Sequence, residues 1–231
     1  MSVGRRSSLW IAAVCVAVTA VSGGATGCSK NSSDTGQQSQ AADKPADQAK
    51  AETTGTAGRL PTLADYIKQN NITETEAKRD NPDVPKILLP MLPGWADAGA
   101  ATPAYAYGAS IGVDPAMQPD PPTIVAVLSK LSGNVDPADI LSMAPNEVRN
   151  LPDFNGSDPI AGKLADFDAT RISGQYTRGG EARVIEQTTA VVPVKDGLYV
   201  LQINVDGLKE QIQIVMKAVD LIDRQATITA A

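Results

Sequence analysis

Alternation of apolar and polar side chains is clearest in the last third of the chain. Leu164 to Tyr176, Ala182 to Val192 and Leu198 to Val205 read as strands, with Tyr199, Leu201, Ile203 and Val205 on one face of the last. The links Thr177-Arg178-Gly179-Gly180 and Val194-Lys195-Asp196-Gly197 are too short for a crossover, which predicts an antiparallel meander. The period then changes. Asp206-Gly207 opens a helix predicted over Leu208 to Arg224. On a helical wheel Leu208, Ile212, Val215, Val219 and Ile222 form one stripe, and Ile214, Ala218 and Leu221 form a second beside it. That arc is wider than one sheet contact needs. The second stripe therefore either meets a neighbouring helix or loop, or lines a site for an apolar ligand.

Upstream elements are shorter. Pro61-Thr62-Leu63-Ala64-Asp65 starts a helix with Thr62 as N-cap and Asp65 in the capping-box position; Leu63, Tyr66 and Ile67 face inward and Asn70-Asn71 stops it. Ile72 to Arg79 alternates as a polar edge strand. Four prolines between Pro82 and Pro93 surround Ile87-Leu88-Leu89, an extended segment that delivers Trp95. Tyr105 to Val113 reads as one strand, with Tyr105, Tyr107, Ala109, Ile111 and Val113 on one face and small residues on the other. Asp114 to Pro122 is a proline-rich loop, and β-branched Thr123 to Leu131 favours a strand. Asp136-Pro137 starts a helix whose inner stripe is Ile140, Ala144, Val148 and Leu151, with Pro145 kinking or restarting it. These elements place an α+β domain over residues 59–231.

Before residue 59 the periodic pattern is lost. Arg5 and Arg6 precede an apolar run, Leu9 to Val21, of secretory-signal length. Gly23-Gly24-Ala25-Thr26-Gly27-Cys28 follows and resembles the bacterial lipobox, with Ala25 where Leu or Val is commoner. Cleavage between Gly27 and Cys28 makes residues 1–27 a lipoprotein signal peptide and Cys28 the lipidated first residue. Residues 28–58 carry almost nothing to bury and read as a disordered tether. The expected location is the outer face of the cell membrane within the envelope, with part of the protein secreted.

Composition narrows the chemistry. The formal charge is −6 with no histidine, which removes the commonest general base and metal ligand and disfavours nucleic acid as a partner. Of two cysteines, Cys15 lies in the discarded segment and Cys28 is acylated. No thiol nucleophile, disulfide or zinc-thiolate site remains, and no cofactor or metal is implied. Asp166 with Asp168, and Glu74 with Glu76, alternate as carboxylate pairs, yet nothing else converges on either in sequence. Trp95, Tyr105 and Tyr107 are core or rim aromatics, or a binding cluster with the second helical stripe.

Several short stretches carry a family resemblance: Leu63-Ala64-Asp65-Tyr66-Ile67, Pro93-Gly94-Trp95, Tyr105-Ala106-Tyr107-Gly108, Pro121-Pro122-Thr123-Ile124-Val125-Ala126, Leu131-Ser132-Gly133, Phe167-Asp168-Ala169-Thr170 and Gly197-Leu198-Tyr199-Val200-Leu201-Gln202. Across residues 60–229 the chain resembles the LpqN/LpqT lipoproteins of mycobacteria. The resemblance implies a PsbP-like α/β/α sandwich, an antiparallel sheet with helices on both faces. It also implies a non-enzymatic accessory role in a mycolate-rich envelope, and it brings no catalytic residue. The expected partners are MmpL-type transporters, mycolyltransferases and an acylated ligand such as a trehalose glycolipid. A protein-interaction module using the sheet edge or the Pro-rich loops, towards host proteins for example, is the rival; a carboxylate hydrolase built on Asp166 or Asp168 is the third.

Overall fold

The computed structural model describes residues 58–229, so Gly27, Cys28, the signal peptide and nearly all of the tether lie outside the described residues. Within them the chain forms helices α1 (Leu63–Gln69), α2 (Pro137–Met143), α3 (Pro145–Arg149) and α4 (Ile212–Gln225). One antiparallel sheet joins β1 (Thr73–Glu76), β3 (Trp95–Asp97), β4 (Gly108–Gly112), β5 (Thr123–Ser132), β6 (Asn155–Gly156), β7 (Ile160–Leu164), β8 (Phe167–Arg178), β9 (Glu181–Val194) and β10 (Gly197–Leu208). A separate ribbon pairs β2 (Lys86–Leu88) with β11 (Thr227–Thr229).

The predicted meander is the middle of the sheet, whose order is β3-β4-β5-β10-β9-β8. β6 and β7 follow one another along the outer edge of β8, and β1 shares the far edge of β5 with β4. Gly179 and Gly180, at φ 62° and 88°, make the tight β8–β9 turn, a backbone that side-chain-bearing residues rarely adopt.

α4 lies on one face and α1, α2 and α3 on the other, giving an α/β/α sandwich. On the α4 face, Tyr199, Leu201, Ile203 and Val205 join Leu128, Val192, Val215, Val219 and Ile222 in the largest apolar cluster. The capping box of α1 forms as predicted: the Thr62 amide donates to Asp65 Oδ2 at 2.8 Å. The Asp65 carboxyl accordingly sits below the usual range, chiefly through that backbone bond, with the Thr62 hydroxyl and Arg59 adding to it. Pro145 restarts the second helical stretch as α3, and Ile140, Ala144 and Val148 are buried along both pieces.

Three expectations change. Leu164 ends β7 rather than beginning the next strand, because Ala165 (φ 51°) turns the chain into β8; Asp166 therefore sits in that turn and not on a strand with Asp168. Asp206 and Gly207 do not open a helix. They extend β10, whose pairing continues to Leu208 opposite Arg183, and α4 starts at Ile212 after a short 3-10 turn. Tyr105 and Tyr107 precede β4 in a turn, where the Ala106 amide donates to the Pro103 carbonyl, so the strand is only Gly108–Gly112.

Arg183 and Asp206 explain the longer β10. Arg183 Nε and Nη2 donate to Asp206 Oδ1 at 2.9 and 2.7 Å, and Nη1 reaches Asp120 Oδ2 at 2.6 Å. Tyr176 donates its hydroxyl to Asp206 Oδ2 at 2.6 Å, and burial followed by the Asp206 charge raises its pKa. Removing one member of such a buried network leaves an uncompensated charge, at a cost of about 3–5 kcal/mol.

Candidate functional site

The two faces differ in what they bury. On the α1–α3 face three small apolar islands surround a polar centre. Leu63, Ile67, Ile140, Leu131 and Val200 make one island, Val148, Phe154, Ile172 and Ile185 the second, and Tyr105, Ala106, Val125 and Val127 the third. Between them β5 presents Ser129, β9 presents Gln187 and Thr189, and β10 presents Gln202 and Asn204, all buried. The registers Thr189↔Gln202 and Gln187↔Asn204 put four of these side chains in two adjacent cross-strand pairs.

α3 adds Glu147 above this centre. Gln202 Nε2 donates to Glu147 Oε2 at 2.9 Å, and Gln187 Nε2 donates to Asn204 Oδ1 at 3.1 Å. Burial pushes the Glu147 carboxyl up to about 8, and the nearby Glu74 carboxylate adds to the rise against the hydrogen bond from Gln202. The acid is mostly neutral at pH 7. Ser129 Oγ, Glu147 Oε1, Thr189 Oγ1, Gln202 Oε1 and Asn204 Nδ2 are buried without a protein hydrogen-bond partner. Buried polar groups in folded proteins are nearly always paired, so these five atoms make a notably polar patch of the interior on this face.

The aromatic candidates divide. Trp95 and Tyr107 belong to the α4-face cluster, while Tyr105 joins the island beside the polar centre. Tyr107 takes a hydrogen bond from the Ile87 amide at 3.1 Å and lies at a cavity of about 320 Å³ that includes Arg79, Val84, Lys86, Leu89 and Met91. The Arg79 guanidinium stands 5.6 Å from the centre of the Tyr107 ring. Ala218 is buried, and Ile214 and Leu221 pack against the main cluster, so the second stripe of α4 is covered by the protein's own core. Of the carboxylate pairs, Glu74 comes close enough to Glu147 to raise its pKa, while the other members lie towards the surface. Asp168 pairs with Lys163 at 3.0 Å, both largely exposed, and Glu76 with Lys78 at 2.8 Å, both partly exposed.

The polar centre was missed by sequence reasoning. Gln187, Thr189, Gln202 and Asn204 alternate with apolar residues, as the solvent side of a meander does. The available signal was the apolar stripe of α2 and α3, which requires a sheet face to cover.

An antiparallel sheet with helices on both faces defines the class: an α+β sandwich domain. The family model described as "Probable lipoprotein LpqN" matches residues 60–229, and the chain belongs to the LpqN family. It is 42% identical over 174 residues to "Lipoprotein LpqN" of Mycobacterium tuberculosis, covering 75% of this chain and 76% of that protein. It is also similar to a solved structure described as "Crystal structure of LpqN involved in cell envelope biogenesis of Mycobacterium tuberculosis". That match has a TM-score of 0.69 and 42% identity, covering 73% of this chain and 97% of the other.

Proposed function

We propose that the protein is an envelope lipoprotein, anchored through acylated Cys28 on the outer face of the cell membrane, that binds rather than catalyses. Its ligand is an acylated glycolipid of the trehalose class, handed between MmpL-type transporters and mycolyltransferases. One observation carries this reading: the buried Ser129, Thr189, Gln202 and Asn204, with unpaired polar atoms, lie beside the apolar Val125, Val127 and Tyr105. Where that face opens, a sugar head offers hydroxyls to the first set and the start of an acyl chain covers the second. The lipobox and family membership support the location.

Unacylated protein incubated with envelope lipid extract and examined by native mass spectrometry is expected to retain a glycolipid, and Gln202→Leu to retain at least tenfold less. Empty protein across the whole extract defeats the reading. Leu88 and Met91, 53% and 68% exposed in the proline-rich segment, favour the rival protein-interaction role. Crosslinked protein adducts without co-purifying lipid would support it.

A further inference from the structure

On the α4 face, at the end where the sheet runs out under the helix, a second cavity opens. It holds about 220 Å³, room for about seven waters at roughly 30 Å³ each. Its wall is Ile212, Val215 and Met216 of α4, and its floor includes Ser173, Val184 and Glu186. It exists because β8 offers only Ser173 opposite Glu186, leaving space that a larger residue would fill. Ile212 and Met216 are 39% and 48% exposed and form an apolar mouth.

Charge at the floor is unbalanced. Glu186 is buried, and its Oε1 takes both protein contacts, Arg171 Nε at 2.9 Å and the Thr188 hydroxyl at 3.3 Å. The other end of the same guanidinium is held by Asp223 of α4. One cation thus serves two carboxylates, and ionising both leaves one negative charge beneath an apolar wall. Burial, with Asp223 adding, pushes Glu186 up to about 7; burial also raises Asp223, with Asp220 adding to the rise and Arg171 and Arg224 opposing it. Asp220 and Arg224 pair with each other on the outer side of α4.

We propose that this cavity is a binding site for a small aliphatic amine in its ammonium form, its N–H groups on Glu186 and Ser173 and its chain against Ile212 and Met216. The ammonium supplies the missing positive charge and the alkyl body covers the exposed apolar mouth. Carboxylate ligands meet the wrong charge, and alcohols lack the compensating one. Among the described residues no three His, Cys, Asp or Glu side chains come together, so a metal ion lacks a ligand set here. This site is separate from the polar centre and does not depend on it.

The test is titration of the unacylated full chain with n-hexylammonium chloride, followed by amide chemical shifts in NMR. Saturable shifts are expected at Ser173, Glu186 and Met216. Affinity should tighten about tenfold from pH 6 to pH 8 as Glu186 ionises, and then level off. Hexanoate should not bind, and 1-hexanol should bind at least tenfold more weakly. Glu186→Gln should weaken hexylammonium at least tenfold and abolish the pH dependence. Ser173→Leu, which fills the cavity, should remove binding and decides the matter if the glutamine variant does not fold. Shifts that fail to saturate, equal affinity for hexanol, or unaltered binding in Ser173→Leu overturn the proposal.

Discussion

The two faces of one sheet solve different problems with the same strands. Along β10, Tyr199, Leu201, Ile203 and Val205 feed a continuous apolar core under α4, while the residues between them run from Leu198 and Val200 into Gln202, Asn204 and Asp206. The first face is closed by the 14-residue α4 together with the β2–β11 ribbon and its proline-rich flank, and the second by three short helices and a turn. The contrast is one of interior chemistry: the α4 face is packed mainly with apolar side chains, and the opposite face keeps polar atoms under cover at an energetic cost.

That contrast can be broken from the apolar side first. Changing fully buried Leu201 to Ala should cost about 3–5 kcal/mol, read by chemical denaturation, while the remaining folded protein keeps the proposed glycolipid. Asp206→Ala, at the end of the same strand, should cost about 3 kcal/mol because Arg183 loses its buried partner. Double-mutant cycles with Arg183→Met then recover part of that loss.

The polar side should respond to pH instead. A carboxyl raised to about 8 from 4.5 binds its proton more tightly in the folded chain, so Glu147 favours folding most below pH 4.5. That contribution fades as pH rises through 8; Glu186, on the α4 face, acts in the same direction up to about 7. Glu147→Gln should therefore melt like wild type near pH 4 and be more stable by roughly 2–4 kcal/mol at pH 8. Gln202→Leu should change stability by no more than about 1 kcal/mol, since removing an unpaired oxygen offsets the donor that Glu147 Oε2 loses, yet should lose the proposed glycolipid. A variant that loses stability and ligand together would show that the two faces are not separable.

Much of this architecture was legible from local chemistry. Thr62 with Asp65, Asp136-Pro137, Pro145 and Gly179-Gly180 each fix a backbone event within a few residues, and all four act where they were read. The side-by-side placement of β5 and β10 was not legible, because it depends on contacts about 70 residues apart, Leu131 to Leu198 among them. The end of β10 was misread because Asp206-Gly207 looks like a helix start, and only distant Arg183 keeps it extended. Glu147 and Glu186 were overlooked because a single Glu in a polar pattern looks solvated. Their burial comes from α3 and from α4 folding over other strands.

The far edge of β5 is shared by two partners that do not meet. β4 pairs with Thr123 to Ala126 and β1 with Ser129 to Ser132, leaving one amide on either side: Tyr107 to the Ala126 carbonyl and Ala77 to the Leu128 carbonyl. Mechanically this is a seam in the weave, since tension along β1 is not carried into β4. The seam gives the domain a place to part locally, so the Ala77 and Tyr107 amides should exchange with deuterium well before those of Val200 and Leu201, which lie in the unbroken ladder.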